Sequence, residues 1–229
     1  MNILAIIPAF NEELSIAKVI KEVPSDIIKE VIVVNNNSTD NTAKAAKDAG
    51  ATVLDESFQG YGAACLRGIE YAETKNCDVV VFLDGDYSDY PEEISLILNP
   101  IINDDFDFVV GSRIIGKREK GSLPFQSRVG SIISGFLINL FWDFKFTDLG
   151  PFRAIKFVKL LSLDMKDKWY GWTVEMQIKA AKKNYKILEV PTSYRKRIGE
   201  SKVTGTFKGT FMASIIILKT IFSQLKNDR

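Results

Sequence analysis

The chain contains no histidine. That absence excludes Ser-His and Cys-His nucleophile pairs, histidine general bases and histidine-ligated zinc. Cysteine is scarce, with only Cys65 and Cys77, which makes no disulfide framework and suits a reducing cytosol. Neither sign of charge dominates: 30 Lys and Arg face 29 Asp and Glu in 229 residues. No global field therefore recruits nucleic acid or membrane, and any such binding must come from local patches. The opening "MNILAIIPAF" has no cationic leader and no small-residue cleavage site, so it reads as a strand and not a signal peptide. The apolar segments 129–142 and 207–222 fall short of the ~20 residues that cross a bilayer. No internal repeat or low-complexity linker interrupts the chain.

What is present in the first half is an alternation of short apolar runs and helical patterns. "ILAIIPAF", "EVIVVN", "ATVLDE" and "CDVVVFLDGD" are predicted strands. Between them lie helices over "NEELSIAKVIKEV", with Asn11 as N-cap, over "STDNTAKAAKDAG", with Ser38 or Asp40 as cap and Gly50 as stop, and over "GYGAACLRGIEYAETKN". Unbroken Val/Ile/Leu runs alternating with helices indicate an α/β fold with a mostly parallel sheet covered on both faces. Such sheets bind ligands at the carboxyl ends of their strands. The second half adds a strand at "FDFVVGSR", a polar segment "DFKFTDLGPFRAI", a helix at "WTVEMQIKAAKKN" and a strand at "KILEVPTSY". Its last apolar segment is flanked by Lys202, Lys208, Lys219 and Lys226. This predicts one domain over 1–205 and a C-terminal helix over 206–229 that rests on a membrane interface or docks a partner. For 129–142, core and interface readings stand level.

The apolar run "VVVFLDGDYSDYP" ends in Asp84, Asp86 and Asp89. Carboxylates beside a core are costly unless something neutralises them. Oxygen ligands on a strand-end loop suit Mg²⁺ or Mn²⁺, which bind through one or two carboxylates plus a substrate's phosphates. A turn and helix cap explains Asp89 well, but explains Asp84 and Asp86 together poorly. "PAFNE" and "NNNSTDNT" end the first two strands, and "QGYGAACLRG" opens a helix with glycines. There, free backbone N–H groups are positioned to meet a phosphate. No G-x-G-x-x-G follows the first strand, which disfavours a dinucleotide site.

Taken together and in order, "PAFNE", "NNNSTDNT", "FQGYGAA", "LDGDYSDYP", "VGSR" and "GESK" resemble the family 2 glycosyltransferases, most nearly the dolichyl- or polyprenyl-phosphate sugar synthases. The resemblance implies a nucleotide-sandwich fold of the GT-A type and a UDP- or GDP-sugar donor. A divalent cation would be held by Asp84 and Asp86. Pro8, Phe10, Asn11 and Glu12 would line the nucleoside pocket, with Asn36, Asp40, Gly62 and Gly85 also beside the donor. Arg113 and Arg128 would grip the acceptor phosphate, and the "GESK" loop, with Arg197 and Lys202, would close over the site. Asn35 and Asn36 stand where relatives carry acids, which leaves the base open. Asp148 would position the sugar or pair with Arg153, and Glu175 would pair with a basic residue.

The implied reaction is inverting transfer of a hexose to a polyprenyl phosphate at the cytoplasmic membrane face, aided by a membrane-anchoring partner subunit or by plain peripheral attachment. A polyprenyl phosphate is already an anionic nucleophile, so the missing histidine is no obstacle. Transfer to a polysaccharide or soluble acceptor is the alternative within this class. Outside it stand a nucleotidyltransferase, disfavoured because "PAFNEE" is neither Gly-rich nor basic, and a non-catalytic lipid- or partner-binding subunit.

Overall fold

The computed structural model describes residues 1–199, Ser201 and the helix 207–226, with that helix's side chains described from 212 onward. Seven strands form one sheet in the order β3-β2-β1-β4-β6-β5-β7. They are β1 (Ile3–Ala9), β2 (Glu30–Asn35), β3 (Thr52–Asp55), β4 (Val79–Phe82), β5 (Phe108–Ser112), β6 (Arg153–Lys156) and β7 (Ile187–Pro191). β1, β2, β3 and β4 run parallel, as do β5 and β7, while β6 is antiparallel to both of its neighbours, β4 and β5.

Alternate residues of each strand feed opposite cores. Leu4, Ile6, Val80 and Phe82 pack on one face, under α3 (Tyr61–Glu73), α5 (Phe125–Trp142) and α7 (Trp172–Lys182). Ile3, Ala5, Ile7, Val79 and Val81 pack on the other, under α1 (Ile16–Glu22) and α4 (Ile94–Asn103), with Ala46 of α2 (Thr42–Asp48) beside them. Each fully buried Val or Ile contributes roughly 1.5–3 kcal/mol, so the two-sided runs supply most of the driving force. The expected mostly parallel sheet, covered on both faces, is what forms, with β6 as its antiparallel member.

Two local expectations are corrected and one is narrowed. Asn11 does not cap α1. It takes a left-handed backbone conformation (φ 54°) and accepts a hydrogen bond from Thr39 N–H at 2.8 Å, tying the first strand-end loop to the second, while α1 begins after Ser15. Ser38 does not cap α2 either. Asp40 does so from just outside the helix, accepting from Thr42 N–H at 2.9 Å, and Gly50 ends the turn with φ 97°. The third is the polar segment before residue 157, which contains β6. Its first residue, Arg153, is fully buried without a carboxylate. Its guanidinium instead donates to the carbonyls of Leu149, Gly150 and Thr173.

Two more helices complete the described chain. α6 (Phe157–Ser162) follows β6, and α8 (Phe207–Lys226) packs on α5 and α7. Phe141 and Phe222 meet edge to face across the α5–α8 seam, 6.4 Å apart. No described helix is long and apolar enough to cross a membrane.

Candidate active site

β1, β2 and β4 present their carboxyl ends to one side of the sheet, and β5 presents Ser112 and Arg113 there too. Because β6 is antiparallel, its preceding segment 147–152 arrives at the same end. The result is a cleft with two lobes. A smaller one, about 330 Å³, is lined by Pro8, Phe10, Glu12, Asn36, Gly60 and Trp169 among others. A larger one, about 460 Å³, lies toward α5 and α8 and is lined by Arg113, Leu123, Ser131, Tyr194, Ala213 and Ile217 among others. Tyr61, Asp84, Asp86, Tyr170 and Arg197 line both.

The acidic loop sits where the lobes meet. Asp84 is half-buried, whereas Asp86 and Asp89 are 4% and 2% exposed. Burial, and then the carboxylates of Asp86 and Asp89, push the Asp84 carboxyl well above the usual range, opposed by Arg197 and Arg113. Asp89 is pushed up to about 7 by burial and then by Asp86, although it accepts a hydrogen bond from Asp84 N–H at 3.3 Å. Asp86 accepts from Ser88 N–H at 2.9 Å and lies 3.2 Å from Arg197 Nη1.

This donor set suits a hard divalent cation. Two carboxylates two positions apart face one cleft, and their crowding with Asp89 is the kind that bound positive charge relieves. Among the described residues, no three acidic or thiol side chains converge to cage a metal by themselves. The remaining ligands would then come from a substrate's phosphates and water, as Mg²⁺ prefers.

Of the other sequence candidates, Pro8, Phe10, Glu12, Asn36 and Gly85 line the smaller lobe. Asn36 is spent on shape: its amide donates to Phe58 O at 2.7 Å and its carbonyl accepts from Gly60 N–H at 2.7 Å, so it fixes the loop that roofs the lobe. Asn11 and Asp40 stay outside the lobes, tying loops together. The expected phosphate cradle at the glycine-opened helix is not available. Gly62 N–H donates to Trp169 O and Ala63 N–H to Lys168 O. A Cβ on Gly62 would lie 2.1 Å from Asp167 O, so glycine is there to let the 167–170 segment pass.

On the acceptor side, Arg113 lines the larger lobe but Arg128 does not, being exposed on α5. Asp148 pairs with Arg113 and not with Arg153. It accepts from Arg113 Nε at 2.7 Å, from Nη2 at 2.9 Å and from Ser131 Oγ at 2.9 Å. Burial alone would raise the Asp148 carboxyl, yet Arg113 holds it below its ordinary value. Glu175 pairs with Lys179 at 2.7 Å and accepts from Asp167 N–H at 2.8 Å, a structural task away from the cleft. Lys202 lies outside the described residues.

Sequence reasoning missed Tyr61, Trp169, Tyr170 and Tyr194 as cleft residues. The signal was available for two of them: "KWYGW" (168–172) is an aromatic cluster in a polar loop, where a core role is not expected. Trp169 meets Phe58 edge to face at 5.1 Å.

A family model described as "Glycosyl transferase family 2" matches residues 4–162. A relative from Methanococcus voltae, the UDP-N-acetylglucosamine–dolichyl-phosphate N-acetylglucosaminyltransferase, is 30% identical over 210 residues, covering 82% of this chain and 84% of its own. The undecaprenyl-phosphate mannosyltransferase of Micrococcus luteus is 28% identical over 230 residues, covering 94% and 93%. Among solved structures, glucosyl-3-phosphoglycerate synthase from Mycobacterium tuberculosis, in complex with Mn²⁺, UDP-glucose and phosphoglyceric acid, superposes with a TM-score of 0.77. It is 21% identical, and the match covers 97% of this chain and 79% of that one. The fold is therefore that of known glycosyltransferases.

Proposed function

The chain belongs to glycosyl transferase family 2, and from that membership we propose that it moves a hexose, with inversion and with Mg²⁺ or Mn²⁺, from a nucleotide diphosphate sugar to a polyprenyl phosphate. The observation that carries this proposal is the two-lobed cleft, whose lobes join at Asp84, Asp86 and Arg197. A donor in the smaller lobe and an acceptor in the larger would place their reacting ends beside the acidic pair. The relatives named for dolichyl and undecaprenyl phosphate support the acceptor class.

In this mechanism Pro8, Phe10, Glu12 and Trp169 hold the nucleoside, and Asn36 keeps the loop above it in shape. Asp84 and Asp86 hold the divalent ion, which when bound stabilises charge on the leaving nucleotide diphosphate. Arg113 stands in the acceptor lobe as a fixed cation, because Asp148 locks two of its nitrogens. An already ionised phosphate needs only orientation and countercharge, so a chain without histidine has the groups the step requires.

The outer faces of α5 and α8 support attachment to a membrane surface. Ile132, Ile133, Phe136 and Leu140 on α5, and Met212, Ile215 and Phe222 on α8, are all more than 40% exposed. The two helices pack together and both flank the larger lobe. We assign 1–205 as the catalytic domain and 206–229 as a docking element for the lipid surface.

The test uses purified protein with Mn²⁺ or Mg²⁺, a panel of UDP- and GDP-sugars, and a short polyprenyl phosphate, counting sugar in the lipid phase. Metal-dependent transfer from one donor is expected. Donor binding without lipid labelling would move the acceptor assignment to a soluble or polysaccharide substrate.

A further inference from the structure

Resting on the metal-dependent reading above, we propose that Arg197 is a built-in counter-cation of the acidic pair, which competes with the divalent ion for Asp86 until a donor diphosphate draws the guanidinium away. One guanidinium spans two strand ends: Nη1 is 3.2 Å from Asp86 Oδ2 and Nη2 is 3.1 Å from Glu12 Oε1. Glu12 and Asp86 are both less than 10% exposed and Arg197 only 28% exposed, so the contacts are poorly screened by water.

The contact is not an accident of a long surface side chain. Ile198 N–H donates to Asp86 O at 2.9 Å, and Arg195 N–H donates to Ser88 O at 2.9 Å, so the 195–198 segment is laid along the acidic loop by its backbone. Arg195 fastens that segment further. Its guanidinium stacks 3.3 Å from the Tyr87 ring centroid and pairs with Glu22 on α1.

The fit is nevertheless incomplete. Arg197 Nε is buried and donates to no protein acceptor, leaving part of its fork unmatched. One guanidinium also faces the carboxyls of Glu12, Asp84 and Asp86 at the junction.

A divalent ion and a guanidinium on the same carboxylate repel each other, so neither binds Asp86 at full strength while the other is there. A diphosphate changes the balance, because its oxygens match the arginine fork better than one carboxylate oxygen does. Arg197 already lines both lobes, so it reaches a donor by reorienting its side chain. Metal and nucleotide then bind cooperatively, and linkage makes the coupling reciprocal.

The experiment measures Mn²⁺ binding to the full chain by the electron paramagnetic resonance signal of free Mn²⁺, first without nucleotide and then with UDP or GDP. Arg197→Ala is expected to tighten Mn²⁺ binding in the absence of nucleotide by roughly three- to tenfold, the scale of a partly buried ion pair. The same variant should weaken nucleotide binding at saturating Mn²⁺. Opposite signs in the two measurements distinguish competition from damage, which weakens both. Arg197→Lys keeps the charge but cannot span both carboxylates, and should shift Mn²⁺ affinity in the same direction by less, an independent check should Arg197→Ala fold poorly. Unchanged or weaker Mn²⁺ binding in both variants, with wild type binding Mn²⁺ together with nucleotide, overturns this proposal and leaves the metal assignment standing. If no variant binds Mn²⁺ even with nucleotide, both fall.

Discussion

Arg113 and Asp148 form a two-point ion pair, Nε to Oδ2 at 2.7 Å and Nη2 to Oδ1 at 2.9 Å, with the aspartate fully buried and the arginine side chain 13% exposed. The pair joins the end of β5 to the segment that enters β6. It fixes one cation of the acceptor lobe in place and presents it as part of a rigid wall.

Removing one partner should be costly. Asp148→Asn or Arg113→Ala is expected to destabilise the fold by about 3–5 kcal/mol, because each leaves the other charge buried and unmatched. Arg113→Lys should recover only part of this, since an ammonium cannot reproduce the fork. Chemical denaturation of the single variants and the double variant measures the coupling.

The same pair sets an acid limit. Asp148 has a folded pKa below its ordinary 3.8, so its contribution is present above that value and is lost as pH falls through the lowered one. Stability measured from pH 5 downward should therefore decline more steeply in wild type than in Asp148→Asn. Parallel curves would show that other carboxylates govern acid unfolding.

Asp84→Asn and Asp86→Asn keep side-chain size and remove charge. Each is expected to lower turnover by on the order of 10²–10³, the scale of losing a main electrostatic group at a reacting centre. Since Asp84 is a crowded carboxyl held above its usual range, Asp84→Asn should unfold at the same temperature as wild type or higher. Near-normal turnover in either variant would remove the metal assignment.

Gly62→Ala probes the donor roof. Its methyl group would fall 2.1 Å from Asp167 O, a backbone atom, so the 167–170 segment must shift at a cost of about 1–3 kcal/mol. Trp169 moves with it, and donor affinity should drop more than turnover at saturating donor. Titration of nucleotide against Trp fluorescence reads this directly.

Phe136→Glu on α5 and Phe222→Glu on α8 test the membrane face. Both side chains are exposed, 63% and 48%, so Phe136→Glu should change stability by no more than about 0.5 kcal/mol, while Phe222→Glu also loses the edge-to-face contact with Phe141, at about 0.5–1.5 kcal/mol. Co-sedimentation with anionic lipid vesicles should fall sharply, while transfer to a short, water-dispersed polyprenyl phosphate persists. Unchanged vesicle binding would assign these helices another partner.

Most of the architecture was legible from residues 1–112, where apolar runs and turns agree locally with the sheet they build, although the N-cap positions of α1 and α2 fall on other residues. β6 was not, because its first residue is an arginine and its core is only four residues long. Only the three-dimensional fold shows that this charge is solvated by the carbonyls of Leu149, Gly150 and Thr173. Arg128 fails for a related reason: a basic residue near a motif has no address until its helix is placed, and here it points to solvent while Ser127 and Ser131 line the lobe.

By itself the sequence determined the α/β class, the strand ends that would carry the chemistry, the acidic pair and the exclusion of histidine chemistry. These are local properties, set by periodicity of two or of 3.6 and by residue type. Tertiary structure alone decided which charges meet. It brought Arg197 from the last loop to Glu12 and Asp86, gave Asp148 to Arg113, and laid an aromatic segment over Gly60 and Gly62 at the start of α3. Such partnerships join positions as much as 185 residues apart. They depend on burial and distance after folding, quantities that no single stretch of chain contains.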